Sequence, residues 1–103
     1  MQAGMRNRGT DFMIDVLSAL KMAVEHSRKT DGWGDLKPHS KCFDLGDFYG
    51  FGMGDSDVAL YVSKEDGHVE YGSIFPSLNP KYKDTEIIQI DITALIPIAR
   101  ESK

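Results

Sequence analysis

Apolar residues between positions 10 and 30 recur at spacings of three and four. At about 100° per residue, such spacings collect side chains along one side of a helix. The residues concerned are Phe12, Met13, Val16, Leu17, Leu20, Ala23 and Val24. The pattern therefore predicts an amphipathic helix over 10–30, capped by Thr10 or Asp11, which ends at the glycine-containing sequence that begins at Asp31.

Beyond residue 41 the apolar residues alternate with polar ones, which is typical of β-strands. Strands are predicted at Phe48–Met53, Val58–Ser63, His68–Phe75 and Glu86–Ile92. Residues 41–45 would extend the first strand past a bulge at Gly46 or add a fifth strand. Near the carboxyl end, Pro97 predicts a single helical turn at Thr93–Ile96 or an irregular edge segment.

The connections between the strands indicate how they pair. The connections 54–57 and 65–67 are short and rich in turn-forming residues, as antiparallel hairpins require, whereas the connection 77–84 is longer. Parallel strands would need crossovers of about a dozen residues or more. We therefore expect an α+β fold in which the helix lies across one face of a four-stranded antiparallel meander. This arrangement resembles the cystatin-like architecture, a resemblance that implies no function.

Strand alternation also predicts which side chains face away from the helix. Among these are four large apolar or aromatic residues, Phe48, Tyr61, Ile74 and Ile87. Because exposed apolar patches commonly mark interfaces, they are predicted to form the self-association surface of a dimer. Two alternatives stay open: the amino-terminal segment or the 77–84 loop covers the patch, or the strands are shifted by one residue, which exchanges the two faces.

The size and composition of the chain narrow its class. Its 103 residues suffice for one small domain, which we place at 10–103 after a disordered tail at 1–9. No apolar run approaches the ~20 residues that span a bilayer, and the amino terminus lacks the hydrophobic region of a signal peptide. The single cysteine, Cys42, cannot form an internal disulfide, which favours a reduced, cytoplasmic setting.

The charge distribution leads to the first functional hypothesis. A net charge of −4 argues against sequence-independent binding to nucleic acid. The acidity is local, because residues 42–72 contain seven acids and one lysine among strand-forming aromatics. This favours a non-catalytic module that binds a basic or amphipathic protein, as inhibitors, immunity proteins and adaptors do. The predicted contact residues are Asp44, Asp47, Asp55, Asp57 and Tyr61. In the competing interpretation these acids serve only turns and solubility.

A second hypothesis places a small-ligand or enzymatic pocket between the helix and the sheet. Its predicted lining is Trp33, Tyr49, Phe51, His68 and Tyr71. In the competing interpretation these aromatic residues form ordinary core, and Trp33 covers the end of the helix.

Motifs for metal binding and catalysis are weak in this sequence. His39 and Cys42, with Asp44 and Asp47 nearby, have no second ligand cluster of the kind that structural zinc sites use. No phosphate-binding glycine motif and no nucleophile motif occurs. We therefore predict no metal and no cofactor, and an enzyme is the less favoured class.

Overall fold

The computed structural model describes residues 14–30, 36–55 and 57–101. The α-helices of this part are α1 (Val16–Lys29) and α2 (Ile96–Glu101), and its strands are β1 (Lys41–Asp44), β2 (Phe48–Gly52), β3 (Val58–Ser63), β4 (Val69–Ser73) and β5 (Ile88–Asp91). Two short 3-10 helices, Pro76–Leu78 and Pro80–Tyr82, lie between β4 and β5. No helix of this described part is both long and apolar enough to cross a membrane. The predicted tail 1–9, the predicted helix residues 10–13 and Trp33 lie outside the described residues.

Helix α1 begins at Val16, later than the sequence pattern predicts, and the proposed caps Thr10 and Asp11 lie outside the described residues. The capping residue is Asp15, which has an extended backbone and accepts a hydrogen bond of 2.8 Å from the backbone N–H of Ser18. Such a bond satisfies one of the donors left free at a helix start. The helix ends at Lys29 with Thr30 as its C-cap, so its end agrees with the prediction to within one residue.

The five strands form one antiparallel sheet in the order β4-β3-β2-β1-β5. The α+β class is therefore confirmed, with one long helix and an antiparallel sheet of five strands. Residues 41–44 form a strand of their own because the chain reverses at Gly46, whose φ of 94° favours glycine. The Asp44 carboxylate accepts the Gly46 backbone N–H at 3.0 Å and stabilises this turn.

The last strand lies at a different edge from the one predicted. A simple meander would place β5 beside β4, but β5 pairs with β1, with Ile90 opposite Cys42 and Ile88 opposite Asp44. The connection 74–87 therefore crosses the face of the sheet that α1 leaves open. The alternation within β5 shows which side chains share a face but does not specify the neighbouring strand.

The carboxyl end forms a turn at 93–95 that continues into α2. Pro97 occupies the second position of this helix, where its missing N–H would have had no partner within the helix. Helix α2 packs beside α1 and buries Ile96 and Ala99. The predicted single turn was therefore too short, because a proline in the first turn does not stop a helix.

Apolar side chains cover both faces of the sheet. On the α1 side, the buried core consists of Ala19, Leu20, Ala23, Val24, Cys42, Phe51, Met53, Leu60, Val62, Ile92, Ile96 and Ala99. On the other side, a second cluster under the 74–87 connection consists of Leu45, Phe48, Ala59, Tyr61 and Tyr82, with Phe43, Ile74 and Ile87 packed against it. We call these the helix-side core and the loop-side core.

The loop-side core contains the residues that the sequence analysis assigned to self-association. Phe48 is 7% exposed and Tyr61 is 3% exposed, while Ile74 and Ile87 are partly buried against them. The apolar patch is therefore filled from within the chain, by the connection that carries Tyr82. A dimer stays a prediction, but these four residues do not present the exposed surface on which it was based.

Tyr61 shapes the loop-side core by lying over two glycines of the neighbouring strands. A Cβ atom at Gly72 would lie 3.0 Å from its ring, and one at Gly50 would lie 3.5 Å from it. The Tyr61 hydroxyl donates a hydrogen bond of 2.7 Å to the Ser73 carbonyl, and the Tyr82 ring lies 6.2 Å away between centres. Gly72 in β4 therefore makes room for the Tyr61 ring, which also lies against Gly50 in β2.

Replacing the two glycines with alanine tests this packing. Gly72→Ala is expected to lower the free energy of unfolding by about 1–3 kcal/mol, because its methyl group would press on a ring held by a hydrogen bond and by Tyr82. Gly50→Ala is the matched control: its methyl group would make an ordinary contact, so the free energy should stay within about 1 kcal/mol of wild type. Urea unfolding measures both values, and equal stability of the two variants would contradict the proposed packing.

Candidate binding site at one end of the sheet

The two ends of the sheet carry separate sets of acidic residues. The β1–β2 and β3–β4 turns lie at one end, which we call the His68 end, and the β2–β3 turn lies at the other. Strand β2 separates them by about 15 Å. The predicted contact residues are therefore split, with Asp44 and Asp47 at the His68 end and Asp55 and Asp57 at the far end. Tyr61, at 3% exposed, lies in the loop-side core and is not a surface contact.

Lys64 connects three parts of the chain at the His68 end. Its backbone N–H donates to the Asp47 carbonyl at 3.0 Å, and its carbonyl accepts the Ile14 N–H at 2.7 Å. Its Nζ atom lies 2.6 Å from Asp44 Oδ1 and 4.6 Å from the centre of the Tyr49 ring. The Lys64 side chain is 11% exposed, so this ion pair is largely shielded from solvent. It joins the start of α1 to β1 and β2.

This ion pair contributes to a lowered pKa of the Asp44 carboxyl. Partial burial alone raises the pKa of the Asp44 carboxyl, but hydrogen bonds from Lys64 and from the Gly46 N–H outweigh burial, and the net pKa is lowered. Burial raises the pKa of the Tyr49 hydroxyl, and the Asp44 charge adds to that effect. Asp44 is thus an ionised partner of Lys64, and Tyr49 stays a neutral phenol.

Asp47 holds the 74–87 connection against the sheet. Its Oδ2 atom lies 3.0 Å from Lys81 Nζ, and its Oδ1 atom accepts a hydrogen bond of 3.2 Å from the Tyr82 hydroxyl. Partial burial raises the pKa of Asp47, but these two partners outweigh it and lower the net pKa. The Lys81 ammonium also lies 4.7 Å from the centre of the Phe48 ring. Asp47 is therefore already engaged within the chain.

His68 lies between two carboxylates on the face of the sheet away from α1. Its Nδ1 atom is 2.7 Å from Asp66 Oδ1, and its Nε2 atom is 2.8 Å from Glu70 Oε2. Asp66 also accepts the backbone N–H of His68 at 3.0 Å. The imidazole meets the Phe48 ring edge-to-face, with 5.4 Å between the ring centres. We call Asp66, His68 and Glu70 the His68 cluster.

The His68 cluster is open to solvent, with side-chain exposures of 62% for Asp66, 50% for His68 and 56% for Glu70. Hydrogen bonds to Glu70 and Asp66 raise the pKa of the His68 imidazole. Hydrogen bonds from the His68 backbone and side chain lower the pKa of the Asp66 carboxyl. The two pKa shifts have opposite signs because the charged form of His68 is protonated and the charged form of Asp66 is deprotonated, and their hydrogen bond favours both charged forms.

The residues of the predicted pocket do not converge. Tyr49 and Phe51 lie on the helix side of the sheet, where Phe51 is 1% exposed and belongs to the core. Tyr71 lies on the edge strand β4 and is 54% exposed. His68 contacts Phe48 on the opposite face, and Trp33 is outside the described residues. These side chains therefore do not line one cavity between helix and sheet with His68 at its mouth.

The candidate metal ligands are also apart. Cys42 is buried in the helix-side core, whereas His39 is exposed and its Nε2 atom lies 2.6 Å from the Gly54 carbonyl. In residues 14–30, 36–55 and 57–101, no three His, Cys, Asp or Glu side chains are placed to hold a metal ion. Burial raises the pKa of the Cys42 thiol to about 12, so at neutral pH it is neither a thiolate ligand nor a nucleophile.

Sequence reasoning counted Asp66 and Glu70 as acids without joining both to His68. Part of this signal was present, because residues 68 and 70 alternate and so share one face of an extended segment, whereas Asp66 lies in the β3–β4 turn before Gly67, whose φ is 79°. The pairs made by Lys64 and Lys81 gave no such signal, since they join positions far apart in sequence.

Comparison of the chain with models of protein families, with curated proteins and with solved structures gave no match. Relatives therefore supply neither an activity nor a ligand for this chain. The case for a function rests on the side-chain geometry described above.

The burial of Cys42 predicts a slow reaction with thiol reagents. A thiol with a pKa of about 12 has almost no thiolate at neutral pH, and the core shields the sulfur. We expect Ellman's reagent to label the folded protein far more slowly than the urea-unfolded protein. Equally fast labelling of both forms would show that Cys42 is accessible.

The Lys64–Asp44 pair predicts effects on stability and on its dependence on pH. Lys64→Met should lower the free energy of unfolding by about 1–2 kcal/mol, because it leaves a partly buried carboxylate without its cation. Lys83→Met, at an exposed lysine of the 74–87 connection, is the control and should be near neutral.

The acid limb of the stability curve tests the same pair. Because the pKa of Asp44 is lowered from 3.8 in the folded state, its contribution is present above 3.8 and is lost as pH falls through the lowered value. As the pH falls through this range, Asp44→Asn should therefore lose less stability than wild type. Urea unfolding at several pH values measures the difference. An unchanged acid limb would exclude a role for this pair.

Proposed function

We propose that this chain is a non-catalytic acidic binding module that engages a basic protein partner at the His68 end of the sheet. The observation that carries the proposal is the exposed carboxylate pair of Asp66 and Glu70, which is arranged around a nitrogen base. Two carboxylates held side by side, one on the β3–β4 turn and one on β4, suit the ammonium or guanidinium group of a lysine or arginine.

The surrounding charges support this choice of end. The acids near the two turns and the start of α1 are Asp15, Asp44, Asp47, Glu65, Asp66 and Glu70, and the lysines there are Lys64 and Lys81. Both lysines are already paired within the chain, Lys64 with Asp44 and Lys81 with Asp47. The negative charge that remains accelerates encounter with a basic partner and disfavours acidic ones.

The geometry of His68 favours binding over acid–base catalysis. A general base needs a free ring nitrogen within reach of the substrate. Both nitrogens of His68 are occupied by carboxylates at 2.7 and 2.8 Å. This supports the binding module over the enzymatic alternative, whose pocket residues lie on both faces of the sheet.

A cytoplasmic setting is part of the proposal. The chain has one cysteine, and that cysteine is buried, so the fold needs no disulfide and tolerates a reducing environment. Inhibitors and adaptors that cover a basic surface are the partner-binding classes that fit this charge distribution.

The test compares two pairs of substitutions at opposite ends of the sheet, with acetylated decalysine as the basic probe. Asp66→Asn combined with Glu70→Gln should weaken binding by at least about fivefold, because each removes one charge near the probe. The same variant should show a weaker dependence of affinity on salt concentration. Isothermal titration calorimetry at two salt concentrations measures both effects.

Asp55→Asn combined with Asp57→Asn is the matched control, since it removes the same number of charges at the far end. Its affinity should stay within about twofold of wild type, because salt screens charges at a distance of about 15 Å. Equal losses in both variants would indicate non-specific attraction and would refute a site at the His68 end. Loss in the far-end variant alone would place the site there.

A further inference from the structure

The two contacts of His68 identify its charge state. A neutral imidazole has one N–H donor and one acceptor nitrogen, whereas an imidazolium has two donors. Both nitrogens of His68 face a carboxylate oxygen, at 2.7 Å from Asp66 and 2.8 Å from Glu70. Carboxylates at neutral pH accept hydrogen bonds and donate none. Only the imidazolium form satisfies both contacts, so the arrangement is that of a cation held between two anions.

We propose that protonation of His68 switches the Asp66–Glu70 carboxylate pair between a closed state, in which both carboxylates are paired with the imidazolium, and an open state that binds a cationic side chain of the partner. The proposal rests on the proposed function and adds a regulating group to it. In the closed state the His68 cluster carries one net negative charge, and in the open state it carries two. The neutral ring keeps at most one of its two hydrogen bonds and releases the other carboxylate.

Two carboxylates contact His68 directly, and one lysine lies nearby. Asp66 belongs to the β3–β4 turn and Glu70 to β4, while β2 contributes the uncharged Phe48 ring. The Lys81 ammonium contacts the same Phe48 ring, but it is paired with Asp47 at 3.0 Å. The carboxylates in direct contact therefore dominate, which agrees with the raised pKa of the imidazole.

The switch operates on the module and not on the partner. The side chains of lysine and arginine stay charged up to about pH 10, so a basic partner does not change its charge while His68 titrates. The raised pKa places the change above the ordinary histidine value of 6.5. Affinity for a basic partner should therefore rise with pH through that range.

The first test measures the titration of His68 directly by NMR. The chain has three histidines, and the signal that disappears in His68→Gln is that of His68. Its midpoint should lie above 6.5 and should fall in Asp66→Asn and in Glu70→Gln, while the other two histidine signals keep their midpoints. A midpoint at or below 6.5, or one that neither substitution lowers, would overturn the switch.

The second test measures the affinity for acetylated decalysine at about pH 6 and at about pH 8.5 at constant ionic strength. Wild type should bind about fivefold more tightly at the higher pH, because one more negative charge then faces the probe. His68→Gln keeps both carboxylates but cannot be protonated, so its affinity should change by less than about twofold. Circular dichroism confirms that the variant is folded.

The two tests separate the switch from the proposed function. If decalysine binds wild type and His68→Gln with the same dependence on pH, the switch is wrong while the binding module stands. If the probe does not bind at either pH, the proposed function and the open state are both wrong, even where NMR shows a raised titration midpoint for His68. If the affinity of wild type depends on pH, that of His68→Gln does not, and the His68 midpoint is raised, the results support both the switch and the proposed function.

Discussion

The sheet of this protein has two apolar faces, but its long helix covers only one of them. Burying the second face is the constraint on which the rest of the fold depends. A connection of fourteen residues, 74–87, supplies the cover and brings Tyr82 onto Tyr61. The Tyr61 ring in turn lies over two glycines, and a Cβ atom at Gly72 would press on it. Burial of the second face therefore explains three features together: the glycine beneath Tyr61, the length of the connection and the edge at which β5 pairs.

Local periodicity predicted the elements of the fold but not all of their neighbours. Spacings of three and four residues indicated a helix ending near position 30, and alternation indicated the strands. The start of α1 was missed because it depends on Asp15 as a cap and on the hydrogen bond between Ile14 and Lys64. The partner of β5 was missed because a strand's alternation is the same at either edge of a sheet.

The candidate site was predictable only in part for a related reason. Charge counting found the acidic segment, yet it could not show that Asp44 and Asp47 are paired with lysines while Asp66 and Glu70 surround a histidine. An ion pair inside the chain satisfies a carboxylate that would otherwise attract a partner. The total number of acids in a segment therefore predicts binding less well than the number of acids that form no ion pair with a lysine of the same chain.

The pairing of β1 with β5 has a consequence for the synthesis of the chain. Cys42 and Ile90 lie opposite each other although 48 positions separate them in the sequence. Once β1 and β2 have emerged from the ribosome they can pair, but β1 has an open edge on its other side. A nascent chain therefore carries an unpaired strand edge until residues 88–91 emerge and join it.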